Sequence, residues 1–156
     1  MSLQKAREHL DKYGYADKII ELSESSATVE LAAAALRVEP ARITKTMGLL
    51  LKDEVILILM AGDVKIDNQK YRQRFNAKAK MVGWDDCEQL IGHPAGGVCP
   101  FGINENITVY LDVSLQRFTS VFPACGTGNT AIELTIPQLE ECSEYSKWVD
   151  VTKLKE

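Results

Sequence analysis

Apolar residues return at helical spacing at the start of the chain. Leu3, Ala6, Leu10 and Tyr13 share one face between Ser2, a cap, and Gly14, a stop, which predicts a first helix. Ile19 and Leu22 sit in a short strand candidate. Thr28 is placed to cap an alanine-rich helix from Val29 to Leu36, whose small side chains favour both helix and close packing. Pro40 begins a further helical turn. The segments from Ile43 to Leu51 and from Val55 to Ala61 are rich in apolar and branched residues and are joined through Asp53-Glu54, the pattern of a β-hairpin. Asp67 can cap a helix ending near Asn76, and another helix runs from about Asp85 to Ile91 and stops at Gly92. Strands are predicted from Thr108 to Leu111, Arg117 to Phe122 and Ala131 to Ile136. Thr135 followed by Gln138, with Pro137 in the first turn, is a capping-box signature for a last helix ending near Cys142. Because helices and strands do not alternate strictly, the expected fold class is α+β, with a central mixed β-sheet or partly closed barrel surrounded by helices rather than a doubly wound sheet.

Size and composition narrow this further. With 156 residues, 46% of them hydrophobic, the chain is expected to form one domain over residues 1–156. Its longest apolar run, from Val55 to Ala61, is too short to span a bilayer, and Lys5 precedes any apolar stretch that could act as a signal peptide. A cytoplasmic protein without a membrane partner is expected. Cys87, Cys99, Cys125 and Cys142 lack CxxC spacing, and His9 and His93 are the only histidines, so no disulfide framework, metal site or cofactor is expected. The net charge of −4 argues against unselective coating of nucleic acid, and no DNA partner is expected. Positive charge is nevertheless concentrated in Lys65, Lys70, Arg72, Arg74, Lys78 and Lys80, relieved only by Asp67. Taken alone, that run reads as a solvated helix face.

The candidate chemistry lies in the segment from Gly92 to Gly102, which holds four of the ten glycines and two of the five prolines. Glycine opens the backbone to left-handed conformations and proline stiffens it, so such a loop presents amide N–H groups that can bind anions or polarise a carbonyl. The plain alternative is a turn between two elements. Lys45, on a predicted strand, would by itself be a snorkelling surface lysine. His93 is a candidate base, although structural hydrogen bonding is the more frequent use, and Cys99 and Cys125 are candidate nucleophiles with no base indicated by spacing. Core or domain-edge packing is the safer reading for Trp84 and Trp148, with base stacking the alternative.

Taken together, Ala32-Ala33, then Ile43-Thr44-Lys45-Thr46-Met47, then Gly92 to Gly102, then Ala131-Ile132-Glu133-Leu134 resemble the YbaK/ProX family of trans-editing aminoacyl-tRNA deacylases. That family includes the editing domain of bacterial prolyl-tRNA synthetases. The specific features are the Lys45-Thr46 pair and the GxxxP element Gly96-Gly97-Val98-Cys99-Pro100. The resemblance implies an α+β fold, hydrolysis of the ester of a mischarged tRNA in the service of translation fidelity, and a synthetase as a candidate partner. It implies Lys45 as the catalytic lysine, either on the phosphate of the terminal adenosine or on the ester oxygens. It further implies a substrate-binding loop of Gly92, Gly96, Gly97, Val98, Cys99 and Pro100, with the tRNA's 2′-hydroxyl as a candidate aid to water attack. Thr46, His93, Ala124, Cys125 and Gly126 are the candidate pocket residues, and the basic run from Lys65 to Lys80 the candidate tRNA contacts. Ala124 and Ala131 stand where some members carry polar residues, so amino-acid specificity does not transfer. Glu133 reads as structural or as a polar pocket residue. Two other readings compete: a non-catalytic tRNA- or synthetase-binding module, and a cysteine-dependent hydrolase using Cys99 or Cys125.

Overall fold

The computed structural model describes residues 2–155. Its centre is a four-stranded mixed sheet in the order β2 (Thr44–Leu51), β3 (Glu54–Ala61), β5 (Ile107–Asp112) and β9 (Lys147–Val149). The predicted hairpin forms its antiparallel half, from Thr44 opposite Ala61 to Leu51 opposite Glu54, while β3–β5 and β5–β9 are parallel. From Ile56 to Ala61 every residue of β3 is buried, because this strand has a neighbour on each side and is covered on both faces. The fold is therefore α+β around a mixed sheet, the first of the two predicted forms.

Three short antiparallel pairs form separate two-stranded sheets: β1 (Ile19–Glu21) with β7 (Thr130–Ile132), β4 (Val64–Ile66) with β10 (Thr152–Leu154), and β6 (Ser120–Val121) with β8 (Leu134–Thr135). The strand expected from Arg117 to Phe122 is reduced to two residues. Asp112 accepts a hydrogen bond from the Ser114 N–H and turns residues Val113–Arg117 into a 3₁₀ helix instead. The strand expected from Ala131 to Ile136 changes partner at Glu133, whose carboxylate accepts from Ser120 Oγ at 2.6 Å and from Arg42 at 3.3 Å. Strands β4, β9 and β10, three residues each, carry too short an apolar pattern to be predicted.

The helices follow their caps. α1 (Ser2–Asp11) buries Ala6 and Leu10, with Ser2 as its first helical residue rather than its cap. α2 (Val29–Leu36) is capped by Thr28, which accepts from the Leu31 N–H at 3.1 Å. α3 (Asn68–Phe75) is capped by Asp67, which accepts from Gln69 and Lys70, and α5 (Ile136–Cys142) begins with the expected Thr135–Gln138 capping box. The helix expected from Asp85 is split into a 3₁₀ turn, Trp84–Asp86, and α4 (Cys87–Leu90), with Gly92 at φ +110° ending it. No helix among the described residues is long and apolar enough to cross a membrane.

Candidate functional site

Strand β2 is the edge of the main sheet, and the segment preceding α2 and the glycine-rich loop lie beside it. Between them opens a cleft of about 470 Å³. Its floor is Thr44 to Gly48 of β2. Ala27, Thr28 and Val29 form one side, and Ala95, Gly96 and Val98 of the loop form another, with Ala124, Val82 and Cys87 completing an apolar wall. Met81 and Trp84 also line it, and Trp84 is 72% exposed. The packing role expected of Trp84 is thus not the observed one, because the 3₁₀ turn that begins at this residue holds the indole at the surface. Trp148, by contrast, is partly buried and donates its indole N–H to Glu140.

Lys45 is half-buried in this cleft, and its ammonium donates to the carbonyl of Val64. Burial is the first cause, and the nearby Lys155 the second, of a Lys45 pKa brought down to about 8, with Glu30 and Asp63 acting in the opposite direction. At neutral pH Lys45 remains a cation, but one close to its titration point. On either side of it Thr44 and Thr46 present buried hydroxyls that have no hydrogen-bond partner among the described residues.

The loop is held by its own backbone and by Gly126. Gly97 donates its N–H to Pro94, and its carbonyl accepts from the Gly126 N–H at 3.0 Å. A Cβ on Gly97 would lie 2.5 Å from the Gly126 and Thr127 backbone, so only glycine permits this approach. The Gly97 amide is therefore committed within the turn. Gly96, at φ +90°, and Val98 line the cleft, and no backbone carbonyl among the described residues accepts from their N–H groups.

The other expected site residues lie elsewhere. Gly92 ends α4, and Pro100 lines a separate polar cleft of about 690 Å³ beside α1. His93 is fully buried, its Nε2 hydrogen-bonded to the Phe101 carbonyl at 2.6 Å, and burial lowers its pKa. Cys99 and Cys125 are also fully buried. Burial pushes the Cys99 thiol up to about 12 and the Cys125 thiol well above its usual range, and neither lines the cleft. The thiol that does line it is Cys87, which donates to the Gly83 carbonyl and whose pKa is raised by burial and by Asp86. Gly126 sits behind the loop, and Glu133 is bound to Ser120 and Arg42 away from the cleft.

The basic run is dispersed. Lys65 lies on β4, Lys78 and Lys80 are exposed beyond α3, and Arg72 is exposed on that helix. Lys70 is tied to Asp150 and to the Thr152 carbonyl, and the Arg74 guanidinium lies over Phe75 and Tyr110. Thr44, Met81 and Cys87 were not singled out from the sequence. Thr44 alone had a signal there, its place beside Lys45.

Three likenesses bear on this arrangement. The chain is 48% identical over 154 residues to the uncharacterized protein YwhH of Bacillus subtilis (strain 168), covering 98% of each. It is 26% identical over 125 residues to EbsC of Enterococcus faecalis (strain ATCC 700802 / V583), described provisionally as a Cys-tRNA(Pro)/Cys-tRNA(Cys) deacylase, covering 79% of this chain and 76% of that one. A crystal structure described provisionally as a trans-editing enzyme for prolyl tRNA synthetase superposes with a TM-score of 0.87 at 25% identity, over 97% of each chain. Finally, residues 23–142 match the aminoacyl-tRNA editing domain, a match that spans β2, the Lys45 cleft and the glycine-rich loop. The chain belongs to the aminoacyl-tRNA editing domain family.

Proposed function

We propose that this protein hydrolyses, in trans, the ester between a wrong amino acid and the 3′ end of tRNA. The observation that carries this reading is the convergence in one cleft of Lys45 with Gly96 and Val98, whose N–H groups no backbone carbonyl among the described residues engages. An activated ester needs its carbonyl oriented, its oxyanion stabilised and a water admitted. Fixed amides and a nearby cation supply the first two without a protein nucleophile. Water attacks the carbonyl carbon, negative charge gathers on the oxygen facing Gly96 and Val98, and the ribose oxygen leaves with a proton. The 2′-hydroxyl of the terminal ribose is a group within the substrate able to assist that attack. Lys45 holds either the terminal phosphate or the ester oxygens.

The apolar wall of Val82, Ala95, Val98 and Ala124 favours a small amino-acid side chain, and Cys-tRNA(Pro) is the first substrate to test given the likeness to EbsC. A deacylation panel of mischarged tRNAs decides the matter. The expected result is selective hydrolysis that Lys45→Ala reduces at least 100-fold while the fold is kept. Hydrolysis of no member of the panel, or full activity of Lys45→Ala, overturns the reading. The cysteine-dependent alternative is separated by the Cys87→Ala variant and by alkylation of Cys87. Full activity in Cys87→Ala excludes the thiol, whereas loss in alkylated wild type alone reports a blocked cleft.

A further inference from the structure

The substrate's phosphates need a path out of the cleft, and the last strand of the chain points to one. Lys45 donates to the carbonyl of Val64, the first residue of β4. β10 pairs with that strand so that Leu154 lies opposite Val64 and Lys153 opposite Lys65. One residue further on, the Lys155 N–H donates to the Asp63 carbonyl at 3.0 Å, which carries the antiparallel pairing past the strand end. Side chains alternate along a strand, so Lys155, Lys153 and Lys65 fall on one face of this ribbon, with Lys155 at the Lys45 end and successive same-face residues about 7 Å apart.

Two features mark this as a place for an anion. Lys155 is a second cation acting on Lys45, and both ammonium groups are donors only. Lys153 and Lys65 are like charges directly opposite, a pairing that opposes sheet formation unless something offsets it. The carboxylate nearest this end, Asp63, is engaged through both oxygens by Arg117, at 2.6 and 3.0 Å. Glu30, the other acid acting on Lys45, belongs to α2 across the cleft, and no salt bridge to Lys45 or Lys155 exists among the described residues. Lys155 stands at the edge of the cleft rather than in its lining, which suits a group just outside the ester-binding space. Lys153, Lys155 and the strand that carries them also lie beyond residues 23–142, the part of the chain shared with the editing family.

We infer that Lys155, continued by Lys153 and Lys65 on the β4–β10 ribbon, is a phosphate track that leads the 3′ single strand of the tRNA into the Lys45 cleft. This rests on the deacylase reading for the identity of the strand. The ligand chemistry is a phosphodiester, as opposed to a free phosphate ion.

The test uses the full chain with Lys155→Ala, Lys155→Arg, Lys153→Ala and the Lys153→Ala/Lys155→Ala double variant. Binding of a single-stranded oligonucleotide ending in the tRNA 3′ sequence is measured against salt. Each phosphate that is no longer neutralised should reduce the slope of log K against log salt by about 0.7, and the double variant should show about twice that change. On mischarged tRNA, Lys155→Ala should raise KM about tenfold with a much smaller change in kcat, and Lys155→Arg should restore most of it. The loss should exceed by about tenfold any loss on an aminoacyl-adenosine that carries no phosphate. Titration of the Lys45 amine by NMR should move upward in Lys155→Ala and return toward the wild-type value in Lys155→Arg, at unchanged thermal stability of both variants. Wild-type affinity and salt slope in the double variant overturn the track. So does an equal loss on both substrates, which would make Lys155 a support for the strand. Competition by millimolar inorganic phosphate that disappears in Lys155→Ala, without any change in oligonucleotide binding, assigns the pair to free phosphate instead. Wild-type protein that binds the oligonucleotide through Lys155 but hydrolyses no ester keeps the track and rejects the deacylase reading.

Discussion

Lys45 shows how a side chain that is ordinary in the sequence becomes special through what surrounds it. On an open strand it would be a surface cation; here burial and Lys155 bring its pKa to about 8. If its cationic form is the active one, kcat/KM on mischarged tRNA falls as pH rises through about 8, once the uncatalysed ester hydrolysis at each pH is subtracted. A rise through that range instead would make neutral Lys45 the working form, as a base. The Lys45-Thr46 pair was legible because it is local. Its depressed pKa was not, since the charged neighbour that contributes to it, Lys155, lies 110 positions away in the chain. His93, Cys99 and Cys125 illustrate the reverse. Their chemistry drew attention in the sequence, and their burial removes them from the cleft.

Among the elements, the glycine-rich loop carries the clearest division of labour. Gly97 is where backbone meets backbone, so Gly97→Ala should cost about 2 kcal/mol of stability by forcing the Gly126 and Thr127 backbone away. For a chain of this size that is roughly 4–8 °C in Tm, measurable by calorimetry. Gly96→Ala places its methyl 3.1 Å from Ala27 Cβ at the cleft edge and strains a left-handed residue, at about 1 kcal/mol. Its activity should fall by more than its stability explains. If instead Gly97→Ala is as stable as wild type, the close approach is not needed. The helices were legible because their caps are sequence-local: Thr28, Asp67 and Thr135 each bond an amide two or three residues ahead. Strands β4, β9 and β10 were not, because three-residue strands exist only through partners distant in the chain.

For the molecule as a whole, the buried carboxylate of Asp112 links the centre to the C-terminal segment. It accepts from the Val151 N–H at 2.9 Å, the Thr152 hydroxyl at 2.7 Å and the Ser114 N–H at 2.9 Å, and so fixes where β10 starts. Asp112→Ala would leave these donors unsatisfied at a cost of about 3 kcal/mol, or roughly 6–12 °C in Tm, and should raise hydrogen exchange in β10 before the central sheet opens. Uniform exchange through β10 and the sheet would mean that the ribbon has no such separate anchor. The sequence by itself determined the hairpin, the capped helices and the α+β class, because apolar periodicity, caps and turn residues act over a few neighbouring positions; Lys45 and the glycine-rich loop were joined there only by the family resemblance. Only the tertiary structure decided which loop residues line the cleft, which thiol lines it, and that the last strand brings Lys155 toward Lys45. Those outcomes depend on burial and on pairing between distant segments, which no short window of sequence contains.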